Sequence, residues 1–286
     1  MPRKGRNIVV IGTSAGGLEA LDVLVGQLPT DVPASIFIVQ HMAPHNSGEP
    51  LLRRLNRHKA FQPKLAENGG RFKPSRIYVA PPDSHLLVKK DRMLIAKGAR
   101  ENRHRPAIDP LFRSAAVAQG ARVIGVVLTG MLDDGTAGLM AIKRCGGVAI
   151  VQDPRDAAYS GMPMNALNNV DVDFCVSIAE MGPLLTELVH QPHGRSKAVP
   201  SDIRTEAVIA ERVLSDRRST ASGTRFRTTA LVVEGSFGNW TRPERNGTAA
   251  TPAIRTRVAR YWRVSLKRSR KCCGSLCECS KNARIS

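Results

Sequence analysis

The chain has 286 residues, 42% of them hydrophobic, and its formal net charge is +19 at pH 7. This length and apolar content suffice for a substantial core without disulfides or a structural metal. No run reaches the ~20 apolar residues that span a bilayer, and the amino terminus lacks the apolar core of a secretory signal, which argues against a membrane-embedded or secreted protein and predicts a cytoplasmic one.

The first two predicted elements meet at a serine. Residues 7–12 predict a strand and residues 17–27 a helix, so the Gly-Thr-Ser-Ala-Gly-Gly segment between them predicts a tight turn. Glycines two positions before and after Ser14 match the G-x-S-x-G elbow, which exposes a nucleophilic hydroxyl. Two other interpretations stay open at this point. One is a dinucleotide-binding loop with Ser14 in place of its second glycine, and the other is a packing turn in which Ser14 caps the helix.

The next predicted strand ends beside a histidine. Residues 35–40 read as a buried strand and His41 follows directly, although His45 is close by and a buried structural role for His41 is an alternative. A helix is predicted near residues 48–57 and a strand near 76–80. Residues 86–88 and 93–95 flank a charged turn and predict a short antiparallel hairpin at the edge of the sheet.

A further strand end carries an aspartate. Residues 110–119 predict a helix and residues 122–128 a strand, and the loop that follows contains Asp134, with Asp133 as its rival. Asp-Gly is also an ordinary turn signal, so this loop alone indicates little about catalysis. The remaining predicted strands lie near 148–151 and 173–176, and the remaining predicted helices near 135–145, 157–168 and 178–189. Cys145 and Cys175 lie within apolar elements and are predicted to pack as small hydrophobic residues.

This alternation predicts an α/β fold, with a mostly parallel, doubly wound, Rossmann-like sheet, helices on both faces and the antiparallel hairpin at the edge. Because the carboxyl ends of parallel strands lie along one edge, Ser14, His41 and Asp134 are expected to converge there. In such a set the imidazole accepts the serine proton, and the carboxylate fixes the imidazole tautomer. The backbone N–H of Ala15, directly after the serine, is the predicted first donor to the oxyanion. The sequence does not locate the second donor, for which the Gly130-Met131 loop, with the N–H of Met131, is the candidate.

Six segments of the sequence form an ordered set of motifs. They are IGTSAGG at 11–17, VQHM at 39–42, YVAPPDSH at 78–85, HRP at 104–106 with Asp109 and Leu111-Phe112, LTGM at 128–131 with Asp134-Gly135, and GMP at 161–163. Together they resemble the catalytic domain of the chemotaxis protein-glutamate methylesterases, the CheB family, and the resemblance covers about residues 6–190.

The resemblance implies a function and assigns roles to three residues. Ser14 is the implied nucleophile, His41 the general base and acid, and Asp134, which directly precedes the glycine, the orienting carboxylate. The implied reaction is hydrolysis of glutamate γ-methyl esters on methyl-accepting chemotaxis receptors, with deamidation of receptor glutamines as a second activity. Neither reaction requires a metal or an organic cofactor, so none is expected.

Two features depart from the family pattern. Leu132 stands where the family often has glycine, so the loop that carries Asp134 is expected to turn differently. Typical chemotaxis enzymes begin with a phosphorylatable receiver domain, whereas this chain reaches its first catalytic strand within about ten residues. A stand-alone catalytic domain without phosphorylation in cis is therefore predicted.

The last third of the chain differs in composition. Residues 1–190 carry 23 Lys and Arg against 17 Asp and Glu, whereas residues 191–286 carry 20 against 7. We therefore divide the chain into a catalytic domain at 1–190 and a basic linker with a poorly structured tail at 191–286, in which only residues 201–214 predict a helix. Zinc binding by Cys272, Cys273, Cys277 and Cys279, contact of the basic tail with nucleic acid, and an out-of-frame reading of the final ~70 residues are open hypotheses for this tail.

Two functions from different classes follow from these patterns. The first is an active serine methylesterase in a chemosensory system. The alternative is a non-catalytic chemosensory scaffold that keeps the fold and uses its basic tail to contact acidic partners. A scaffold has no chemical need for a serine, a histidine and an aspartate at these positions. The joint presence of Ser14, His41 and Asp134 therefore favours the enzyme.

Overall fold

The computed structural model describes residues 5–58 and 61–219. Within these residues seven parallel strands form the main sheet. They are β1 (Ile8–Thr13), β2 (Ser35–Gln40), β3 (Lys64–Leu65), β4 (Arg76–Val79), β7 (Val123–Val127), β8 (Val148–Gln152) and β9 (Phe174–Val176), in the order β3-β4-β2-β1-β7-β8-β9. The order reverses between β1 and β7, which confirms the doubly wound parallel sheet that the sequence predicts.

Both faces of this sheet are covered by helices. The helices in the described part of the chain are α1 (Gly17–Gln27), α2 (Glu49–Leu55), α3 (Ile108–Gln119), α4 (Thr136–Arg144), α5 (Gly161–Asn169), α6 (Ile178–His190) and α7 (Ser201–Ser219). Alternate residues of β1, Ile8 and Val10, join one core with α3, α4 and α5, while α1 packs against α2 and α6. All six residues of β1 are buried, which explains its continuous apolar run.

The predicted hairpin forms, but not as an edge of the main sheet. Strands β5 (His85–Val88) and β6 (Met93–Ala96) pair with each other as a separate two-stranded antiparallel sheet. All of β5 is buried, and the N–H of Val88 donates to the Ser114 hydroxyl on α3 at 3.0 Å. The hairpin therefore covers α3. The strand at the edge of the main sheet is β3, which has two residues and hence no periodicity that a sequence could reveal.

Helix α3 begins two residues earlier than the sequence predicts. Its N-cap residue, Ala107, makes no capping hydrogen bond, and the N–H groups of Ile108 and Asp109 donate instead to the carboxylate of Asp134. A helix start is stabilised when its free N–H groups find acceptors. Here the acceptor comes from a distant loop, so the local sequence does not indicate where the helix begins.

Helix α7 lies beyond the predicted boundary at residue 190 and packs against α3. Its apolar residues Ile203 and Ala207 are buried, and its Asp202 pairs with Arg144 on α4 at 2.6 Å. Lys89 and Glu211 form a further ion pair. The division at residue 190 stays a prediction, and the hypotheses about the four tail cysteines, nucleic-acid contact and the reading frame concern residues outside those that the structure describes.

Close packing between β1 and α3 predicts a large effect of a small substitution. A Cβ added at Gly12 would lie 2.3 Å from Cγ2 of Ile108, the first residue of α3. We expect Gly12→Ala to lower the free energy of unfolding by about 1–3 kcal/mol, because the buried, β-branched side chain of Ile108 must move out of the way in a closely packed core. Urea unfolding followed by circular dichroism measures this change.

Gly194→Ala is the matched control, since a Cβ at exposed Gly194 meets nothing within 4 Å. It should change the unfolding free energy by less than about 0.5 kcal/mol. Equal stability of the two variants would contradict the packing described for Gly12.

Candidate active site

Three strand ends bring the predicted serine, histidine and aspartate to one place. Ser14 directly follows β1 and His41 directly follows β2, and the two strands pair in register, Thr13 with Gln40. Asp134 lies in the loop after β7, the other neighbour of β1. The chain crosses from β1 to β2 on one side and from β7 to β8 on the other, which opens the crevice expected at such a switch point.

The side chains of these residues form a continuous chain of hydrogen bonds. Ser14 Oγ lies 3.1 Å from Nδ1 of His41, and Nε2 of His41 lies 2.7 Å from Oδ2 of Asp134. The anionic carboxylate can only accept, so the bonding pattern assigns the proton to Nε2 and leaves Nδ1 to accept from the serine hydroxyl. The rivals His45 and Asp133 are exposed, and neither side chain bonds to Ser14 or His41.

The turn that carries Ser14 is fixed by backbone contacts. The Ser14 N–H donates to the carbonyl of Thr129 at 3.0 Å, and the Gln40 amide donates to the carbonyl of Ser14 at 2.8 Å. Gly16, at φ 73°, is the N-cap residue of α1, and no side chain caps that helix. Ser14 therefore does not cap the helix, and its half-buried hydroxyl points to His41 instead.

Asp134 is a buried carboxylate with hydrogen bonds on both oxygens. Oδ2 accepts from His41 and from the N–H of Ile108 at 2.8 Å. Oδ1 accepts from the Asn102 amide at 2.8 Å and from the N–H of Asp109 at 3.2 Å. Burial opposes ionisation of Asp134. The hydrogen bond and the charge of His41, together with the hydrogen bonds from Ile108 and Asn102, outweigh this effect and hold the pKa of Asp134 below its ordinary value. The site thus contains a stable buried anion.

A second buried carboxyl group, Asp109, lies behind Asp134. Its Oδ1 accepts from the N–H of Gly138 at 2.6 Å, and its Oδ2 accepts from the same Asn102 amide at 2.8 Å. Burial and the neighbouring charge of Asp134 raise the pKa of Asp109 to about 7. Asp109 belongs to a segment of the family resemblance, but the sequence gives no indication that one asparagine bridges the two carboxyl groups.

A tight turn at residues 101–104 brings two more side chains to this group. The N–H and carbonyl groups of Glu101 and His104 bond to each other, and Asn102 and Arg103 between them have φ of 48° and 68°. The His104 ring stacks on the His41 ring, with centroids 3.7 Å apart and planes 12° apart. Burial and the nearby His41 lower the pKa of His104, which favours a neutral ring against the face of His41.

An open cleft of about 530 Å³ gives access to Ser14 and His41. Residues 42–44, 100 and 103–105 also line it. Within the described residues, the N–H groups of Ala15 and Met131 donate to no acceptor, whereas the N–H of Gly130 is bonded to the carbonyl of Tyr159 at 3.0 Å. Oxyanion donation by Ala15 and Met131 stays a prediction.

Other candidate chemistry lies away from the cleft. Cys145 is fully buried and Cys175 partly so, and burial raises the pKa of both thiols, that of Cys175 to about 11. In the two described stretches, no group of three His, Cys, Asp or Glu side chains is placed to hold a metal ion. None of the helices that the structure describes has the length and apolar character needed to cross a membrane.

Comparison with known proteins shows what this chain is similar to. The family model of the CheB methylesterases matches residues 9–185. A Leptospira interrogans protein named as a protein-glutamate methylesterase/protein-glutamine glutaminase is 40% identical over 181 residues, which cover 63% of this chain and 93% of that protein.

Longer relatives match over part of their length. A Burkholderia lata protein-glutamate methylesterase/protein-glutamine glutaminase is 42% identical over 178 residues, 61% of this chain and 48% of the relative. Among solved structures, the crystal structure of the Thermotoga maritima CheB methylesterase catalytic domain has 36% sequence identity and a TM-score of 0.62, and the match covers 64% of this chain and 98% of that one. The chain thus spans nearly all of a catalytic domain and about half of some longer relatives.

The asparagine bridge between the two carboxyl groups leads to a stability prediction. Asn102→Gly keeps the positive φ but removes the amide from Asp134 and Asp109, and we expect a loss of about 1–3 kcal/mol in unfolding free energy at pH 8. Folding raises the pKa of Asp109 from 3.8 to about 7, so the free energy of unfolding falls as the pH rises through this range. The loss should therefore be smaller at pH 5, where Asp109 is protonated. Urea unfolding at both pH values measures the difference.

Arg103→Gly is the control, because it changes the adjacent positive-φ residue of the same turn without removing a hydrogen bond to either carboxyl group. It should leave stability unchanged or raise it slightly, since glycine relieves the strained backbone. Two results would contradict the bridging role of Asn102. One is a loss of unfolding free energy in Asn102→Gly that is no larger than the loss in Arg103→Gly, and the other is a loss in Asn102→Gly that is larger at pH 5 than at pH 8.

Proposed function

The chain belongs to the CheB methylesterase family, and we propose that it hydrolyses glutamate γ-methyl esters on methyl-accepting chemotaxis receptors through Ser14, His41 and Asp134. The observation that carries this proposal is the hydrogen-bond chain from Ser14 Oγ through His41 to Asp134 within the segment that matches the family. Deamidation of receptor glutamines is a second reaction of the same site, as the names of the relatives indicate.

Ester cleavage follows from the geometry in two stages. Ser14 Oγ attacks the ester carbonyl while Nδ1 of His41 takes the hydroxyl proton, and His41 then donates that proton to the departing methoxide, which leaves as methanol. The glutamyl group is now esterified to Ser14. A water molecule attacks this acyl-enzyme with His41 again as the base, and the proton returns to Ser14 as the glutamate carboxylate leaves. For a glutamine side chain the first leaving group is ammonia.

Asp134 supports both stages without transferring a proton itself. Its carboxylate accepts a hydrogen bond from the Nε2–H of His41, which keeps Nδ1 available to the serine and stabilises the imidazolium that forms during attack. The N–H groups at the start of α3 keep this carboxylate ionised inside the protein. Removing the charge while keeping the shape, as in Asp134→Asn, would leave His41 in the wrong tautomer for attack.

The oxyanion of each tetrahedral intermediate requires donors in fixed positions. We assign the N–H of Ala15, directly after the nucleophile, and the N–H of Met131 to this role. These two N–H groups and the three side chains all belong to the chain itself, and together they account for the reaction. In this proposal residues 1–190 form the catalytic domain, which acts in the cytoplasm on the cytoplasmic part of the receptor.

The proposal predicts that methanol release depends on Ser14. Ser14→Ala removes the nucleophile and should lower the rate of methanol release from methylated chemoreceptor preparations by at least about a thousandfold. Gas chromatography of the released methanol measures the rate, and circular dichroism checks that each variant is folded.

Ser201→Ala is the matched control, because exposed Ser201 begins α7 outside the segment that matches the family. It should release methanol at the parental rate. Parental activity in Ser14→Ala would exclude the serine mechanism, and a parent protein without Ser14-dependent release would favour the non-catalytic scaffold.

A further inference from the structure

Two exposed arginines line the cleft beside Ser14. Arg100 and Arg103 line the cleft and are exposed, and neither forms an ion pair with any residue that the structure describes. Arg105, which also lines the cleft, differs: its Nε donates to Asp83 at 2.8 Å and its Nη1 to the carbonyl of Gly98 at 2.5 Å. Since none of the described residues that line the cleft is an aspartate or a glutamate, the charges of Arg100 and Arg103 remain available to a bound molecule.

The backbone fixes Arg103 close to the reacting groups. Arg103 has φ of 68°, a conformation that costs energy for any residue with a side chain, and both hydrogen bonds of the turn hold it there. The next residue, His104, stacks on His41. After burial and His41, the charges of Arg100 and Arg103 are among the causes that lower the pKa of His104, so both guanidinium groups act on the ring that stacks on His41.

The loop after Gly130 also borders Ser14. A Cβ added at Gly130 would lie 2.9 Å from Cβ of Ser14, so the loop that follows Gly130 borders the nucleophile. The next two residues, Met131 and Leu132, are apolar and 58% and 53% exposed. The surroundings of Ser14 therefore include the two arginines of the cleft and two exposed apolar side chains of this loop.

We propose that Arg100 and Arg103 are specificity-determining residues that bind carboxylates flanking the target glutamyl ester, so that the enzyme prefers an acidic segment of its protein substrate. This inference rests on the proposed function. Charge complementarity across a contact raises the rate of encounter and selects the partner. Hydrolysis of one ester also creates a carboxylate, so a product group next to a second ester strengthens binding for the following reaction.

The test compares two substrates with one double variant. Arg100→Ala/Arg103→Gly removes both charges, and the glycine suits the positive φ at position 103. We expect its kcat/KM on methylated chemoreceptor preparations to fall by roughly tenfold at low ionic strength, mainly through KM, and by less than about twofold in 0.5 M NaCl, because salt screens exposed charges. Its rate with p-nitrophenyl acetate, a small uncharged ester, should equal that of the parent.

Arg204→Ala is the matched control, since it removes an exposed arginine of α7 that lines no part of the cleft. It should behave as the parent on both esters. Unchanged kcat/KM of the double variant on the receptor at low salt would overturn the inference, as would an equal loss on p-nitrophenyl acetate. A parent that releases no Ser14-dependent methanol from the receptor would overturn the proposed function and the inference with it.

Discussion

The buried carboxylate of Asp134 joins the parts of the molecule that the site needs. It accepts hydrogen bonds from His41, from the Asn102 amide and from the N–H groups of Ile108 and Asp109. These donors belong to the end of a central strand, a tight turn and the start of α3. An isolated anion at this depth would be strongly unfavourable, but one with donors on both oxygens is stable. The same interaction therefore starts a helix and orients His41, the proposed catalytic base.

The parallel sheet supplies the other constraint. A nucleophile, its base and an orienting carboxylate must lie within a few ångströms, and the ends of β1, β2 and β7 are adjacent because these strands pair in register. Each side chain is placed by backbone at the end of a rigid strand, so the set can be held in position before substrate binds. The open cleft beside it leaves room for a segment of a protein substrate.

The sequence alone predicted the parts of the site that depend on single elements. Ser14 and His41 follow directly from strand ends, and the pattern of the resembled family, in which the aspartate directly precedes a glycine, selects Asp134 over Asp133. The roles of Asn102, Asp109 and His104 were missed, because each depends on contacts between segments far apart in the chain. The first residues of α3 were missed for the same reason, since their acceptor is a side chain 26 positions away. The hairpin was predicted correctly as a unit, but its position over α3 depends on packing that no local pattern encodes.

The most direct test of this account is the position of the proton on His41. Nitrogen-15 NMR of histidine-labelled protein at pH 8 distinguishes a protonated Nε2 from a protonated Nδ1. The account predicts that Nε2 of His41 carries the proton, with a low-field Nε2–H resonance that disappears in Asp134→Asn. A proton on Nδ1, or a resonance that persists in Asp134→Asn, would contradict the claim that Asp134 orients the base toward Ser14.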